Sequence, residues 1–162
     1  MKWTVYLSLG SNLGDRESNL KEATRRLGEL GRVISRSSNY ETEPVEVDTE
    51  QPWFLNCAVA METQLPPLDF LHRILEIEQA MGRRRTGVRS PRNVDIDILF
   101  FDDQIIDANQ LKVPHPRMHQ RRFVLEPLAE IAGQVVHPVL KRAVQQLLND
   151  LPADSGNVHR VT

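Results

Sequence analysis

A chain of 162 residues with 20 basic and 22 acidic side chains, net charge −2 at pH 7, suits one domain with a substantial core and lacks the overall positive charge of a general nucleic-acid binder. Its single cysteine, Cys57, excludes an intrachain disulfide and a cysteine-rich zinc site, and its apolar neighbours suggest a buried thiol. No apolar run is long enough to span a membrane, and Met1-Lys2-Trp3-Thr4-Val5 leads into a strand without a signal-peptide apolar region, so a cytoplasmic location is the expectation.

Residues 3–9 are β-prone. Gly10-Ser11-Asn12-Leu13-Gly14-Asp15 breaks that strand, and Asp15 or Asn12 can cap a following helix. Leu20, Ala23, Leu27 and Leu30 recur at helical spacing and predict a helix from Arg16 to Leu30, weakened by Gly28 and ended by Gly31. Residues 33–41 alternate as a strand, and Glu41 to Asp48 reads as an acidic loop. In residues 54–61 Leu55, Cys57, Val59 and Met61 share one strand face, with Phe54 and Asn56 on the other. Pro66-Pro67 introduces a helix with the stripe Leu68, Leu71, Leu75, Phe70, Ile74 and Ile77, ending near Gly82. A basic loop then leads to Val94–Phe100, a strand. A turn at Asp102-Asp103-Gln104 precedes a short strand at Ile105-Ile106. Further helices are expected over residues 120–131, with Pro127 as a kink or stop, and over Val139 to Leu148, and the last dozen residues look frayed. The order β-α-β-β-α-β is that of the split βαβ unit. The predicted class is therefore α+β: a ferredoxin-like βαββαβ core with an antiparallel four-stranded sheet, two helices packed on one face, and C-terminal helices added. With no repeat or linker, residues 1–162 read as one domain.

The chemistry concentrates in Pro91-Arg92-Asn93-Val94-Asp95-Ile96-Asp97-Ile98-Leu99-Phe100. In a strand, Asp95 and Asp97 project side by side while Val94, Ile96, Ile98 and Phe100 fill the opposite face. Two such carboxylates call for a cation, and Mg²⁺ takes a few carboxylate oxygens while keeping positions for water and phosphate. Upstream stand Arg83, Arg84, Arg85, Arg89 and Arg92 with no acid among them, guanidiniums suited to phosphate. There is no Walker loop and no G-x-G-x-x-G, so a nucleotide must be held by side chains and the metal. The 84 positions between Ser11 and Asp95 are far too many for polymerase-β-like nucleotidyltransferases. Phe54 with Asn56 offers a ring face and an amide for a flat heterocycle. His115, between Pro114 and Pro116 and followed by Arg117 and Arg121, suits a phosphate. From the residues alone, a ferredoxin-like nucleotide- or RNA-binding module and another Mg²⁺-dependent nucleotidyl or phosphoryl transferase stay open.

Taken together, Leu9-Gly10-Ser11-Asn12-Leu13-Gly14-Asp15, Phe54-Leu55-Asn56, Glu78 with Gly82-Arg83, Pro91 to Leu99, and Val113-Pro114-His115-Pro116-Arg117 with Arg121 to Phe123 resemble the 6-hydroxymethyl-7,8-dihydropterin pyrophosphokinase family. The resemblance implies transfer of pyrophosphate from ATP to the hydroxymethyl group of the dihydropterin, with release of AMP, in folate biosynthesis. It implies that Asp95 and Asp97 bind two Mg²⁺ ions. It places Arg83, Arg92 and Asp97 in catalysis, Arg83, Arg92, Ile98, His115 and Arg121 on ATP, and Thr42, Val45, Phe54, Asn56 and Phe123 on the pterin, with Glu78 and Asn12 in support. Val88-Arg89-Ser90 departs from the Arg-Trp-Gly or Arg-Trp-Ala that many members carry there. The partners implied are small molecules, with no nucleic acid and no membrane, and a monomer is the expectation.

Overall fold

The first strand sets the two faces of the sheet. In the computed structural model, which describes residues 1–43, 53–82 and 93–162, β1 (Trp3–Ser11) turns Val5, Leu7 and Leu9 into one apolar layer. By strand alternation Tyr6, Ser8 and Gly10 face the other way. Asp15, not Asn12, caps α1 (Arg16–Leu27) by accepting from the Ser18 N–H at 3.1 Å. The helix stops at Leu27, short of the expected Leu30, where Gly28 donates back to the Thr24 and Arg25 carbonyls. Leu30 is nevertheless buried.

The strand expected over 33–41 is two strands, β2 (Gly31–Arg36) and β3 (Tyr40–Thr42). The break falls on Ser37-Ser38-Asn39, whose side chains bind backbone and neighbours locally: Ser37 Oγ donates to the Ser38 carbonyl at 2.8 Å, and Asn39 Oδ1 accepts from Arg36 at 2.8 Å. Such contacts compete with a regular ladder. Glu41 and Thr42, expected in an acidic loop, belong to β3; the rest of that loop, Pro44 to Asp48, lies outside the described residues.

Next come β4 (Phe54–Thr63) and α2 (Pro67–Gly82). The helix buries Phe70, Ile74 and Ile77, but Leu68 and Leu75 of the predicted stripe are exposed. β5 (Asp95–Phe101) is followed by the short pair β6 (Ile106–Asp107) and β7 (Lys112–Val113). Ile105, expected within a strand, precedes β6 and is exposed. A 3₁₀ turn at Met118–Gln120 leads into α3 (Arg122–Ala132). That helix runs on through Pro127, because burial of Val124, Leu125 and Leu128 offsets the hydrogen bond a proline cannot give. α4 (Val144–Asp150) begins five residues later than Val139. Residues 137–141 instead form a turn in which His137 Nδ1 accepts from the Val139 and Leu140 N–H groups at 3.2 and 3.0 Å, with Lys141 at φ 59°. The tail expected to be frayed contains β8 (Val158–Arg160), which pairs with β3.

Among the described residues the main sheet has six strands rather than four, in the order β5-β1-β4-β3-β8 with β2 also on β4. Every pairing is antiparallel. β2 and β3 share β4, one along its second half and the other along its first. α1 and α2 cover the layer of Val5, Leu7, Leu9, Leu55, Cys57, Val59 and Met61. Burial pushes the Cys57 thiol up to about 11, so it is an inert core group. The two C-terminal helices cover the opposite face through Val124, Leu125, Leu128, Val144 and Leu147. Glu130 ties α3 to β3, accepting from the Tyr40 hydroxyl at 2.7 Å and the Ser38 N–H at 3.0 Å. Burial first, and then Glu130, hold the Tyr40 phenol above its usual range. Among the described residues no helix is long and apolar enough to cross a membrane.

One sequence expectation fails at β5. Val94, Ile96 and Ile98 do share a layer, but Phe100 lies in the opposite one with Leu99, and Phe101 returns to the first. The cause is a β-bulge: β1 pairs Tyr6 with Phe100 and Leu7 with Ile98, leaving Leu99 as the extra residue. A bulge shifts the alternation by one. Phe100 is then held edge-on by Tyr6 at 6.0 Å and by His137 at 5.7 Å. Phe100→Ala is expected to lower the unfolding free energy by about 3–5 kcal/mol, measured by chemical denaturation. A loss below about 1 kcal/mol would contradict this placement.

Candidate functional site

Three adjacent strands carry the site on one face. In register, Asn56 of β4 lies opposite Gly10 of β1, and Gly10 lies opposite Asp95 of β5. One pair further along, Ala58 faces Ser8, and Ser8 faces Asp97. The central positions are thus glycine and serine, between an amide on one side and two carboxylates on the other. A Cβ on Gly10 would lie 2.6 Å from Asn56 Oδ1 and 3.6 Å from Phe54 Cδ1. Glycine here makes room for both side chains.

Asn56 and Thr42 are buried polar residues, and Asn56 Nδ2 donates to Thr42 Oγ1 at 2.6 Å. That bond fixes the amide, leaving its carbonyl oxygen toward Gly10. Phe54, across from Thr42 in the β3–β4 pairing, is half-buried with its ring edge near Gly10. Phe123, at the start of α3, is also half-buried and packs on the C-terminal core layer. The Arg121 guanidinium sits 5.5 Å from its ring centre, a cation–π contact.

Asp95 is exposed and Asp97 half-buried. Between them, the Ile96 N–H donates to Glu78 Oε2 of α2 at 2.8 Å. β5 is the edge strand of the sheet, and a buried carboxylate that satisfies its backbone fixes the strand from outside. Asn93 adds a tie, donating to the Met81 carbonyl at 2.7 Å. Asp95, Asp97 and Ile98 open onto a cleft of about 620 Å³, whose far walls are Leu71, Leu75, His115 and the segment Asn109–Lys112. Leu75 and the half-buried Leu71 thus give this cleft an apolar side.

His115 is placed by its own backbone. Its N–H donates to the Leu99 carbonyl at 3.0 Å, and its Nδ1 accepts from the Arg117 N–H at 3.1 Å. An accepting Nδ1 puts the proton of the neutral ring on Nε2. The histidine pKa is lowered, chiefly by burial, against an upward pull from Asp97, with Arg121 and Arg117 pushing further down. Cations nearby and a neutral imidazole N–H suit an incoming phosphate.

The structure therefore brings Asp95, Asp97, Ile98 and His115 to one cleft, and Thr42, Phe54 and Asn56 to the adjoining part of the same sheet. Arg121 and Phe123 sit at the start of α3. Arg83, Arg92 and Val45 lie outside the described residues. Among the described residues Asn12 makes no hydrogen bond that would single it out, whereas Ser11 is engaged by Asn19 at 3.1 Å. Sequence reading missed Ser8 and Gly10 as the floor of the site, although the alternation Val5, Leu7, Leu9 already puts them on the face opposite the core. It also missed Asn109–Lys112, for which no sequence signal exists. As for a metal, no cluster of three or more histidine, cysteine or carboxylate side chains occurs among the described residues. Two carboxylates on successive positions of one strand face, open to a cleft, suit a hard cation that completes its shell with other oxygens.

Comparison with known proteins decides the family. Residues 6–133 match the family model described as 7,8-dihydro-6-hydroxymethylpterin-pyrophosphokinase. The chain belongs to this family. Over 133 residues it is 47% identical to the 2-amino-4-hydroxy-6-hydroxymethyldihydropteridine pyrophosphokinase of Bacillus subtilis, covering 81% of this chain and 79% of that protein. It is 41% identical over 157 residues to a folic acid synthesis protein of Dictyostelium discoideum, covering 97% of this chain but only 24% of that one. An HPPK-DHPS triple mutant of Plasmodium falciparum superposes with a TM-score of 0.74 at 20% identity, over 92% of this chain and 43% of that structure, a likeness of fold. The activity of the pyrophosphokinase family is transfer of the pyrophosphoryl group of ATP to hydroxymethyldihydropterin in folate synthesis.

Two measurements test the geometry. The His115 ring, followed by NMR against pH, should titrate below the 6.5 usual for histidine, and Asp97→Asn should move its midpoint further down, because Asp97 is what holds it up. An unchanged midpoint would remove the electrostatic link between these groups. Gly10→Ala should leave the chain folded but lower its unfolding free energy by about 1–3 kcal/mol, as the new methyl displaces Asn56 from its place beside Thr42; unchanged stability in chemical denaturation would show that Asn56 has room to spare.

Proposed function

We propose that this chain joins ATP and 6-hydroxymethyl-7,8-dihydropterin across the face of β4, β1 and β5, the pterin on the Asn56 side and the triphosphate on the Asp95–Asp97 side. The observation that carries this reading is the register Asn56–Gly10–Asp95. It sets an amide for a heterocycle and carboxylates for a metal two strands apart, about 10 Å, with no side chain between them. Phe54 and Phe123 stack on the pterin ring, and Thr42 and Asn56 bind its edge. Val45, Arg83 and Arg92 join these assignments on sequence resemblance alone. The core is read as ferredoxin-like and as one domain, supported by the strand order β5-β1-β4-β2 with a helix after β1 and another after β4. A cytoplasmic monomer is part of the same reading.

Asp95 and Asp97 would hold Mg²⁺, two ions by family resemblance, which when bound neutralises charge on the triphosphate and on the leaving AMP. The chain's own residues do the rest. In the transfer, the hydroxymethyl oxygen forms a bond to the β-phosphorus while the bond from that phosphorus to the α–β bridging oxygen breaks. The electron pair leaves with AMP, and the hydroxyl proton is released. Asn56, locked by Thr42, orients the ring so that its hydroxymethyl group points across β1 at Gly10 toward the carboxylates. His115 donates its Nε2 proton as a hydrogen bond to a phosphate oxygen, and Arg121 lends charge while packing on Phe123. Little covalent chemistry falls to the protein, because positioning and electrostatics supply the acceleration.

Purified protein given ATP, Mg²⁺ and the dihydropterin should release AMP in step with pterin pyrophosphate. ADP as the nucleotide product would overturn the reading. Asp97→Ala should lower turnover at least about 100-fold, and near-normal kcat in that variant would remove the carboxylate from the metal site.

A further inference from the structure

β3 has only three residues, Tyr40–Thr42, yet it carries Thr42, the partner that fixes Asn56. A strand this short gains little from its own pairing with β4. What holds it from the other side is β8, with Tyr40, Glu41 and Thr42 opposite Arg160, His159 and Val158. Backbone bonds continue past both ends: the Glu43 N–H donates to the Asn157 carbonyl at 3.1 Å, and the Asn39 N–H to the Thr162 carbonyl at 2.9 Å.

Two side chains of this tail reach further. Asn157 Nδ2 donates to Glu43 Oε2 at 2.6 Å. The His159 ring stacks on Trp53 at 6.1 Å with 12° between planes. Glu43 follows Thr42 directly, and Trp53 precedes Phe54. Arg16 of α1 completes the arrangement, donating to Glu41 Oε1 at 2.6 Å and to the Trp53 carbonyl at 2.8 Å. The tail therefore grips the end of β3 with one residue and the start of β4 with another, at the two positions that flank the proposed pterin contacts. None of it touches the cleft at Asp95 and Asp97, and residues 157–160 lie outside the segment 6–133 matched by the family model.

We propose that β8 is a clasp for the pterin half of the site, with His159 and Asn157 as positioning residues that set the spacing of Thr42 and Phe54. The proposal rests on the assignment of Thr42, Phe54 and Asn56 to the pterin. Its mechanism is restriction of two strand ends, so the cost of losing it appears in binding of one substrate.

Both residues are exposed, so replacing them spares the core. His159→Ala with Asn157→Ala should raise KM for the dihydropterin about 3- to 10-fold, with KM for ATP and kcat within about twofold. His159→Phe, which keeps a stacking ring, should restore the value when Asn157 is retained. Equal rises in both KM values, no rise in either, or no rescue by phenylalanine would each overturn the clasp. Asn56→Ala, measured alongside, separates the two readings: if it leaves the dihydropterin KM unchanged, the pterin assignment itself falls and the clasp with it. If Asn56→Ala weakens pterin binding and the tail variants do not, only the clasp falls.

Discussion

The site depends on how β1 is held between β4 and β5. An antiparallel ladder allows no partial slip: moving β1 by one residue would turn Gly10 and Ser8 into the core and bring Leu9 or Leu7 to the surface. The apolar layer of Val5, Leu7 and Leu9 thus enforces, on the opposite face, the alignment of Asn56, Gly10 and Asp95. Burial on one side of the sheet is the source of precision on the other. Asn56 and the carboxylates need no loop between them to be in register, because each is read off the same central strand.

The second requirement is that an edge strand carry charge without fraying. β5 presents two carboxylates on one face, and their mutual repulsion works against a regular strand. Glu78 on the Ile96 N–H, Asn93 on the Met81 carbonyl, and the buried run from Ile98 to Phe101 hold it in place. The carboxylates are thereby held at fixed positions, the preorganisation that the proposed metal role needs.

Much of this was legible from residue order. The alternation Leu55, Cys57, Val59, Met61 placed Phe54 and Asn56 on the second face, and the spacing of Asp95 and Asp97 placed them together. What escaped was set by tertiary context. The bulge at Leu99 has no sequence mark, so Phe100 was assigned to the wrong layer. Ser37-Ser38-Asn39 divided a strand through side-chain bonds that simple alternation does not register. The tail lacks the apolar periodicity of a core strand, since Val158, His159 and Arg160 pair at an edge and are mostly exposed. It takes strand form because β3 offers it a partner. Leu68 and Leu75 fit a helical stripe by spacing, yet both stay exposed, and Leu75 with Leu71 lines the cleft instead.

The bulge in β5 links matters that seem separate. Its extra residue, Leu99, sends Phe100 down among the C-terminal helices, and the same Leu99 offers its carbonyl to the His115 backbone. One inserted residue therefore both fastens the second core layer and hangs the His115 loop from β5. A deletion there would restore a plain alternating strand, tidy by the rules of sheets. With Phe100 still opposite Tyr6 the two layers would stay as they are, but the carbonyl that holds the His115 N–H would be gone. The residue that looks surplus in β5 is thus the one that anchors a loop the strand never pairs with.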